Sequence, residues 1–301
     1  MSLENKRKEL EALYVDYRIQ ELHLNSVQGN FDEEHLKEIH QKIFQDLPKL
    51  GFDNITPGIF RAETPKELDW IKHRKLETIG IISNVSYSAM NSEAKTRLKN
   101  TLNTININKL SKLNTSDFTK AISKIYTELD YIHPFNDGNS RTLREFTRQL
   151  AEACGYDLNW EQFAQSKSGR DFLYIARDIS VNKLALPNIQ NKNNLRDVLF
   201  SMDTLDGNRN LTNLLHDAIR PINQQNQPTI RFNLGEKLNE NQENQNDKSA
   251  QENIKPNNQE NTSENIQNAN SNNQGQNQAE NVQANQAKNQ GQPHNLHDAH
   301  I

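Results

Sequence analysis

From Asn241 to Gln290, 27 of 50 residues are Asn or Gln, and no aromatic residue follows Phe232. A stretch of that kind cannot bury enough apolar surface to offset the entropy lost on ordering it. The break confines any packed core to roughly the first 220 residues, which is still long enough to bury a substantial interior. The expected organisation is a helical segment over 1–30, a main domain over 31–200, a helical extension over 201–224 and a disordered Asn/Gln-rich tail over 225–301. The tail reads first as a solvated extension and second as a self-association or secretion element. Its histidines, His294, His297 and His300, could bind a stray metal weakly at most.

Charge divides at the same place. Residues 1–220 carry 30 basic and 30 acidic residues, whereas the remainder carries 5 and 9. A neutral body argues against strong nucleic-acid binding, whose affinity comes largely from phosphate neutralisation. Cys154 is the single cysteine, so neither an internal disulfide nor a CxxC zinc site is available. No apolar run reaches the length of a membrane span. The opening MSLENKRKELEALYVDY lacks the apolar core of a secretory signal. The expected compartment is a reducing cytoplasm, or a host cell reached through a dedicated secretion machine.

The body reads as helical. Leu36, Ile39, Ile43 and Leu47 form one apolar stripe and predict a helix over 31–48. Phe118, Ile122, Ile125 and Leu129 predict another over 116–131, with Thr115, Ser116 and Asp117 as N-cap candidates. Leu143, Phe146, Leu150 and Cys154 predict a third over 139–154, with Gly155 as its stop. Ile79, Ile81, Ile82, Val85 and Tyr87 are β-prone and predict a short hairpin or extended loop within 60–90, with a turn at Ser83–Asn84. Residues 183–196 read as a Pro/Asn-broken loop, with weaker helical signal over 195–219. His35 and His40 are five apart and fall on different helix faces, so a metal helix is not expected there.

Chemistry concentrates in His133-Pro-Phe-Asn-Asp-Gly-Asn-Ser-Arg-Thr-Leu-Arg144. Pro134 disfavours helical geometry at His133 and so ends a helix there. Gly138 can take a positive φ, and a new helix opens at about Asn139. The first turn of that helix offers unpaired N–H groups and the positive end of its dipole to an anion. Arg141 and Arg144 lie one turn apart and can lean toward the same region, and Asn139 adds an amide donor. Asp137 is a carboxylate beside this cradle, the usual protein share of a Mg²⁺ site completed by substrate phosphates. His133 is a base of a type whose unperturbed pKa is close to neutral. Phe135 is expected to point into the core. Base, metal carboxylate and anion hole together are the inventory of phosphoryl or nucleotidyl transfer.

The segment HPFNDGNSRTLR resembles the signature of Fic (Fic/Doc) domain proteins, HxFx(D/E)GNGRxxR. A second segment, GNFDEEHLKEIHQKIFQDL at 29–47, is similar to the first-helix region of the same family. The resemblance covers roughly 15–200 and implies an all-α Fic-type helical domain with a small β-hairpin flap. It implies a protein adenylyltransferase that moves AMP from ATP, with Mg²⁺, to a Ser, Thr or Tyr hydroxyl of a target protein. In that reading His133 is the catalytic base and Asp137 holds the metal. Phe135, Asn136, Asp137, Gly138, Asn139, Ser140, Arg141 and Arg144 form the nucleotide site. Gly138 and Asn139 line the anion hole, the two arginines bind the polyphosphate, and Arg144 lies nearest the leaving pyrophosphate. The flap would take the target backbone as an added strand.

Ser140 departs from the family's usual Gly, and it is not the Lys of the phosphotransferase branch either. Its hydroxyl could donate to a phosphate, or its bulk could crowd the nucleotide. Many relatives carry an inhibitory (S/T)xxxE(G/N) helix. Here no Glu followed by Gly or Asn has Ser or Thr four residues earlier. The resemblance therefore implies the class restrained by a separate small antitoxin protein, which would place a glutamate near Arg144. Three other readings stay open: a Fic/Doc-type phosphotransferase, an inactive Fic-fold binding module, and an adaptor acting through its tail. No GxG or GxxxxGK pattern offers a competing nucleotide loop.

Overall fold

The computed structural model describes residues 3–222 apart from 206, 208 and 209, so the predicted disorder of 225–301 lies outside the described residues. The chain begins with α1 (Leu3–Leu24) and α2 (Glu33–Phe44), followed by a 3₁₀ turn at Leu47–Leu50. A hairpin of β1 (Trp70–Lys75) and β2 (Ile82–Tyr87) comes next. Helices α3 (Ser92–Asn103), α4 (Ile107–Leu110), α5 (Thr115–Ile132) and α6 (Asn139–Ala153) follow. The last part holds β3 (Tyr156–Leu158), α7 (Lys167–Ala185), α8 (Lys192–Leu205), α9 (Leu211–Ala218) and β4 (Ile219–Pro221). No described helix is long and apolar enough to cross a membrane.

The helix starts follow from short polar side chains that accept otherwise unpaired N–H groups. Asp32 caps α2 by accepting from the His35 backbone, and Asn91, Ser166 and Asn210 do the same for α3, α7 and α9. The cap of α5 is Asn114, which accepts from the Asp117 N–H, and not one of the three residues after it. Asn114 has a side chain of the capping type and an extended backbone (φ −72°, ψ 166°), whereas the three residues named from the sequence already lie within the helix. Leu36, Ile39 and Ile43 of α2 are buried with Leu143, Phe146 and Leu150 of α6 in one core that also takes Phe118, Ile122 and Leu129 of α5. The period-3.6 stripes thus face inward as read. The stripe at 31–48 is α2 plus a 3₁₀ turn, because Pro48 removes an N–H donor that the α-helix would need.

The hairpin is antiparallel, with Trp70 opposite Tyr87 and Lys75 opposite Ile82. Its turn lies at 76–81, with Gly80 at φ +67°. Ser83 and Asn84 are inside β2 instead, because buried partners hold them: Ser83 Oγ donates to Asp178 at 2.8 Å and the Asn84 N–H donates to Ser201 Oγ at 3.0 Å. The outer edge of β2 is sealed in this way by α7 and α8, since the Ser86 N–H also donates to Asn182 Oδ1 at 3.0 Å. In an antiparallel ladder the residues opposite Asn84 and Ser86, namely His73 and Ile71, then turn their backbone polar groups away from β2. The region read as a loop at 183–196 is mostly helical, with α7 running to Ala185 and α8 starting at Lys192. A 3₁₀ turn at Leu186–Asn188 joins them across Pro187.

Candidate active site

Helix α5 stops at Ile132, and His133 takes a left-handed conformation (φ +49°, ψ +61°) that lets its N–H reach the Leu129 carbonyl. For a non-glycine residue this geometry costs about 1–2 kcal/mol, so something must hold it. Arg61 does. Its Nε donates to the His133 carbonyl at 2.7 Å, its Nη2 donates to the Ser88 carbonyl at 2.6 Å, and its backbone N–H donates to the Pro134 carbonyl at 2.8 Å. The His133 ring is fully buried and stacks on Tyr87 of β2, with centroids 3.7 Å apart. Its Nδ1 lies 3.8 Å from Asp130 Oδ1, one turn back on α5.

The loop between α5 and α6 is held from beneath. Phe135 is buried and stacks on His40 of α2 at 3.8 Å between centroids, so its ring supports the loop. His40 Nδ1 accepts from the Gly58 N–H at 2.9 Å, which makes Nε2 the protonated nitrogen and a donor to the Asp137 carbonyl at 3.1 Å. Burial pushes the His40 imidazole down to about 3, so it stays neutral. The amide of Asn139 turns back onto the loop. It accepts from the Phe135 N–H at 2.9 Å and donates to the Phe135 carbonyl at 2.8 Å, closing the loop on itself. Asn136 is the exposed residue of the loop.

Gly138 sits at φ +75°, and a Cβ there would come within 2.3 Å of the Phe44 ring. It is the N-cap residue of α6 and supplies no side-chain cap, so the first-turn N–H groups of the helix point into the loop as an anion site requires. Arg141 and Arg144 are both buried and line one cleft of about 630 Å³ between α1, α6 and the residues after β3. Arg141 pairs with Glu11 of α1 at 3.1 Å, and its guanidinium lies over the Phe44 ring. Arg144 donates from Nε to the Ser140 carbonyl at 3.3 Å, and burial pushes its guanidinium below the usual range. Asp137 Oδ1 accepts from the Gly138 N–H at 2.6 Å, and Oδ2 accepts from the Asn54 amide at 3.1 Å. Arg141 stands 4.0 Å from the same carboxylate. Asp137 is an acceptor-only carboxylate when ionised, which is the residue type a hard cation takes from a protein. The donor set, one carboxylate oxygen beside a phosphate site, suits Mg²⁺ better than softer metals.

Ser140 is held by a residue that sequence reasoning did not single out. Its Oγ accepts from Arg177 Nη1 of α7 at 3.0 Å, so the hydroxyl is turned into the interior. Arg177 in turn grips Asp130 with two nitrogens at 3.0 and 3.1 Å. Arg61, Tyr87, Asp130 and Arg177 were all missed. Only Asp130, three residues before His133, carried a local signal that spacing could have revealed.

Residues 30–151 match the Fic/DOC family, so this part of the chain is a Fic/DOC domain. The chain is similar to protein adenylyltransferase VbhT of Bartonella schoenbuchensis, with 27% identity over 161 residues, 54% of this chain and 29% of the relative. It is also similar to a protein adenylyltransferase of Bartonella henselae, with 28% identity over 138 residues, 46% of this chain and 24% of the relative. The chain therefore spans less than a third of the length of these curated relatives. Among solved structures, BepC of Bartonella tribocorum with bound AMPPNP is similar at 17% identity and a TM-score of 0.46, covering 72% of this chain and 88% of that one.

Proposed function

We propose that the chain is a protein adenylyltransferase that moves AMP from ATP to a hydroxyl side chain of a target protein. The observation that carries this is the uncapped α6 start at a positive-φ glycine, with two buried arginines on the same helix and an imidazole at the end of the preceding one. Two curated relatives bear the name protein adenylyltransferase, and the structure of a similar protein holds an ATP analogue. The target hydroxyl attacks the α-phosphorus of ATP while His133 takes its proton. The new O–P bond forms as the bond to pyrophosphate breaks, and Arg144 and Arg141 stabilise the charge that leaves. Backbone N–H groups of the first turn of α6, from Asn139 onward, orient the phosphates. Mg²⁺, held by Asp137 and the phosphate oxygens, would neutralise charge on the polyphosphate.

The target peptide is read as an added strand on the outer edge of β1, where Ile71 and His73 present backbone groups. A small antitoxin placing a glutamate near Arg144 is the proposed restraint. The domain limits are read as before, with a helical segment leading into a catalytic domain that the tail follows. Incubation of the chain with a protein extract and α-labelled ATP is expected to label a protein, and His133→Ala is expected to abolish the label. Labelling from γ-labelled ATP alone would replace this reading with phosphotransfer. Co-expression with neighbouring small reading frames tests the antitoxin, which is discarded if none relieves the effect of the chain on growth.

A further inference from the structure

Two buried charges behind the base take no part in the transfer just described. Asp130 on α5 and Arg177 on α7 are each 1% exposed, and they face each other through a bidentate contact. A buried ion pair of this kind contributes little net stability, because desolvation offsets its attraction. Its placement points elsewhere. Asp130 Oδ1 lies 3.8 Å from His133 Nδ1 on one side, and Arg177 reaches Ser140 Oγ at 3.0 Å on the other. One network thus runs from the imidazole to the first turn of α6. Burial works against the ionised form of Asp130, but the Arg177 charge and the neighbouring His133 ring outweigh it and hold the carboxyl below its usual range.

We infer that Asp130 is the positioning residue for His133, receiving the proton on Nδ1 so that Nε2 is the atom that takes the hydroxyl proton. Arg177 keeps Asp130 charged, and Ser140 ties Arg177 to the helix that cradles the phosphates. Base and cradle are therefore fixed to one frame. The serine that replaces the usual glycine gains a role the glycine could not fill, since glycine has no oxygen for Arg177 to reach. Around the imidazole, Tyr87 covers one face from β2 and Asp130, gripped by Arg177, stands behind it, while Arg61 donates to the His133 backbone carbonyl. A neutral ring needs its Nδ1–H directed to an acceptor to fix the tautomer, and Asp130 is the carboxylate in place to do so.

The inference rests on the proposed transfer chemistry, but its first test does not. Nitrogen-15 spectra of the histidine rings in the full chain, with His133 assigned by comparison with His133→Gln, are expected to show Nδ1 protonated and Nε2 bare at neutral pH. Asp130→Asn is expected to erase that preference and lower kcat for protein labelling by about 10²-fold or more, with KM for ATP kept within about threefold. A wild-type ring bare at Nδ1 overturns the inference, even where Asp130→Asn fails to fold. A folded Asp130→Asn protein that keeps both tautomer and kcat overturns it too. Wild-type chain that shows the expected tautomer but labels nothing supports the positioning and strikes the proposed transfer alone.

Discussion

Gly138→Ala tests the cradle where it is least tolerant. Gly138 is at φ +75°, which costs an L-residue about 1–2 kcal/mol. The new Cβ would also stand 2.3 Å from Cε2 and Cζ of Phe44, a ring that is fully buried between α2 and the loop. Phe44 has no solvent to move into, so the loop or the ring must shift, an overpacking cost of about 1–3 kcal/mol. The two add to about 2–5 kcal/mol, or about 4–20 °C in Tm for a domain of this size. Thermal and urea unfolding of the full chain reads the loss. Phe44→Ala separates the parts, since removing the ring leaves only the backbone cost. In that background Gly138→Ala is expected to cost about 1–2 kcal/mol, a coupling of about 1–3 kcal/mol between the sites. An equal cost in both backgrounds would refute the steric argument. A cost below about 1 kcal/mol in the wild type would refute the positive-φ argument as well.

Three further predictions probe the supports of the loop. His40 is neutral when folded, with its pKa near 3 against about 6.5 unfolded, so below pH 6.5 the unfolded chain binds the extra proton. Its stabilisation is complete above that pH and is lost as pH falls toward 3, at up to about 1.4 kcal/mol per pH unit. Urea midpoints from pH 7 to 4 should fall more steeply for wild type than for His40→Gln, and parallel curves would contradict this. Arg61→Met removes donors from the His133, Ser88 and Ile132 carbonyls and should cost about 2–4 kcal/mol while abolishing protein labelling. A folded Arg61→Met chain with wild-type labelling would show that His133 keeps its conformation unaided. Asp171 accepts from the Glu77 and Thr78 N–H groups and the Thr78 hydroxyl, so Asp171→Ala should loosen the hairpin turn. Hydrogen exchange at 77–80 should quicken about tenfold or more, with α6 unchanged; an unaltered turn would mean that α7 does not anchor it.

The parts of the site that were legible in the sequence are those whose causes are local. Pro134 ends α5 at its neighbour, Gly138 supplies a positive φ, and the arginines share a face because they lie three apart; each depends on residues within one or two turns. The apolar stripes of α2, α5 and α6 were readable for the same reason, since period alone fixes which side chains share a face. The turn of the hairpin was misplaced because Ser83 and Asn84 are turn-formers locally, and only Asp178 and Ser201, 95 and 117 residues on, keep them in a strand. The amide of Asn139 is turned back onto the Phe135 backbone, a partner that its residue type alone did not disclose. Distance in sequence sets the limit for Asp130 also. Its place one turn before His133 was open to view, but its charge depends on Arg177, 47 residues away. A carboxylate beside an imidazole becomes an orienting group only if something keeps it ionised in the interior, and here that cation also holds the hydroxyl of Ser140. The departure at Ser140 and the acid behind the base are then consequences of one buried guanidinium, which neither local pattern could reveal.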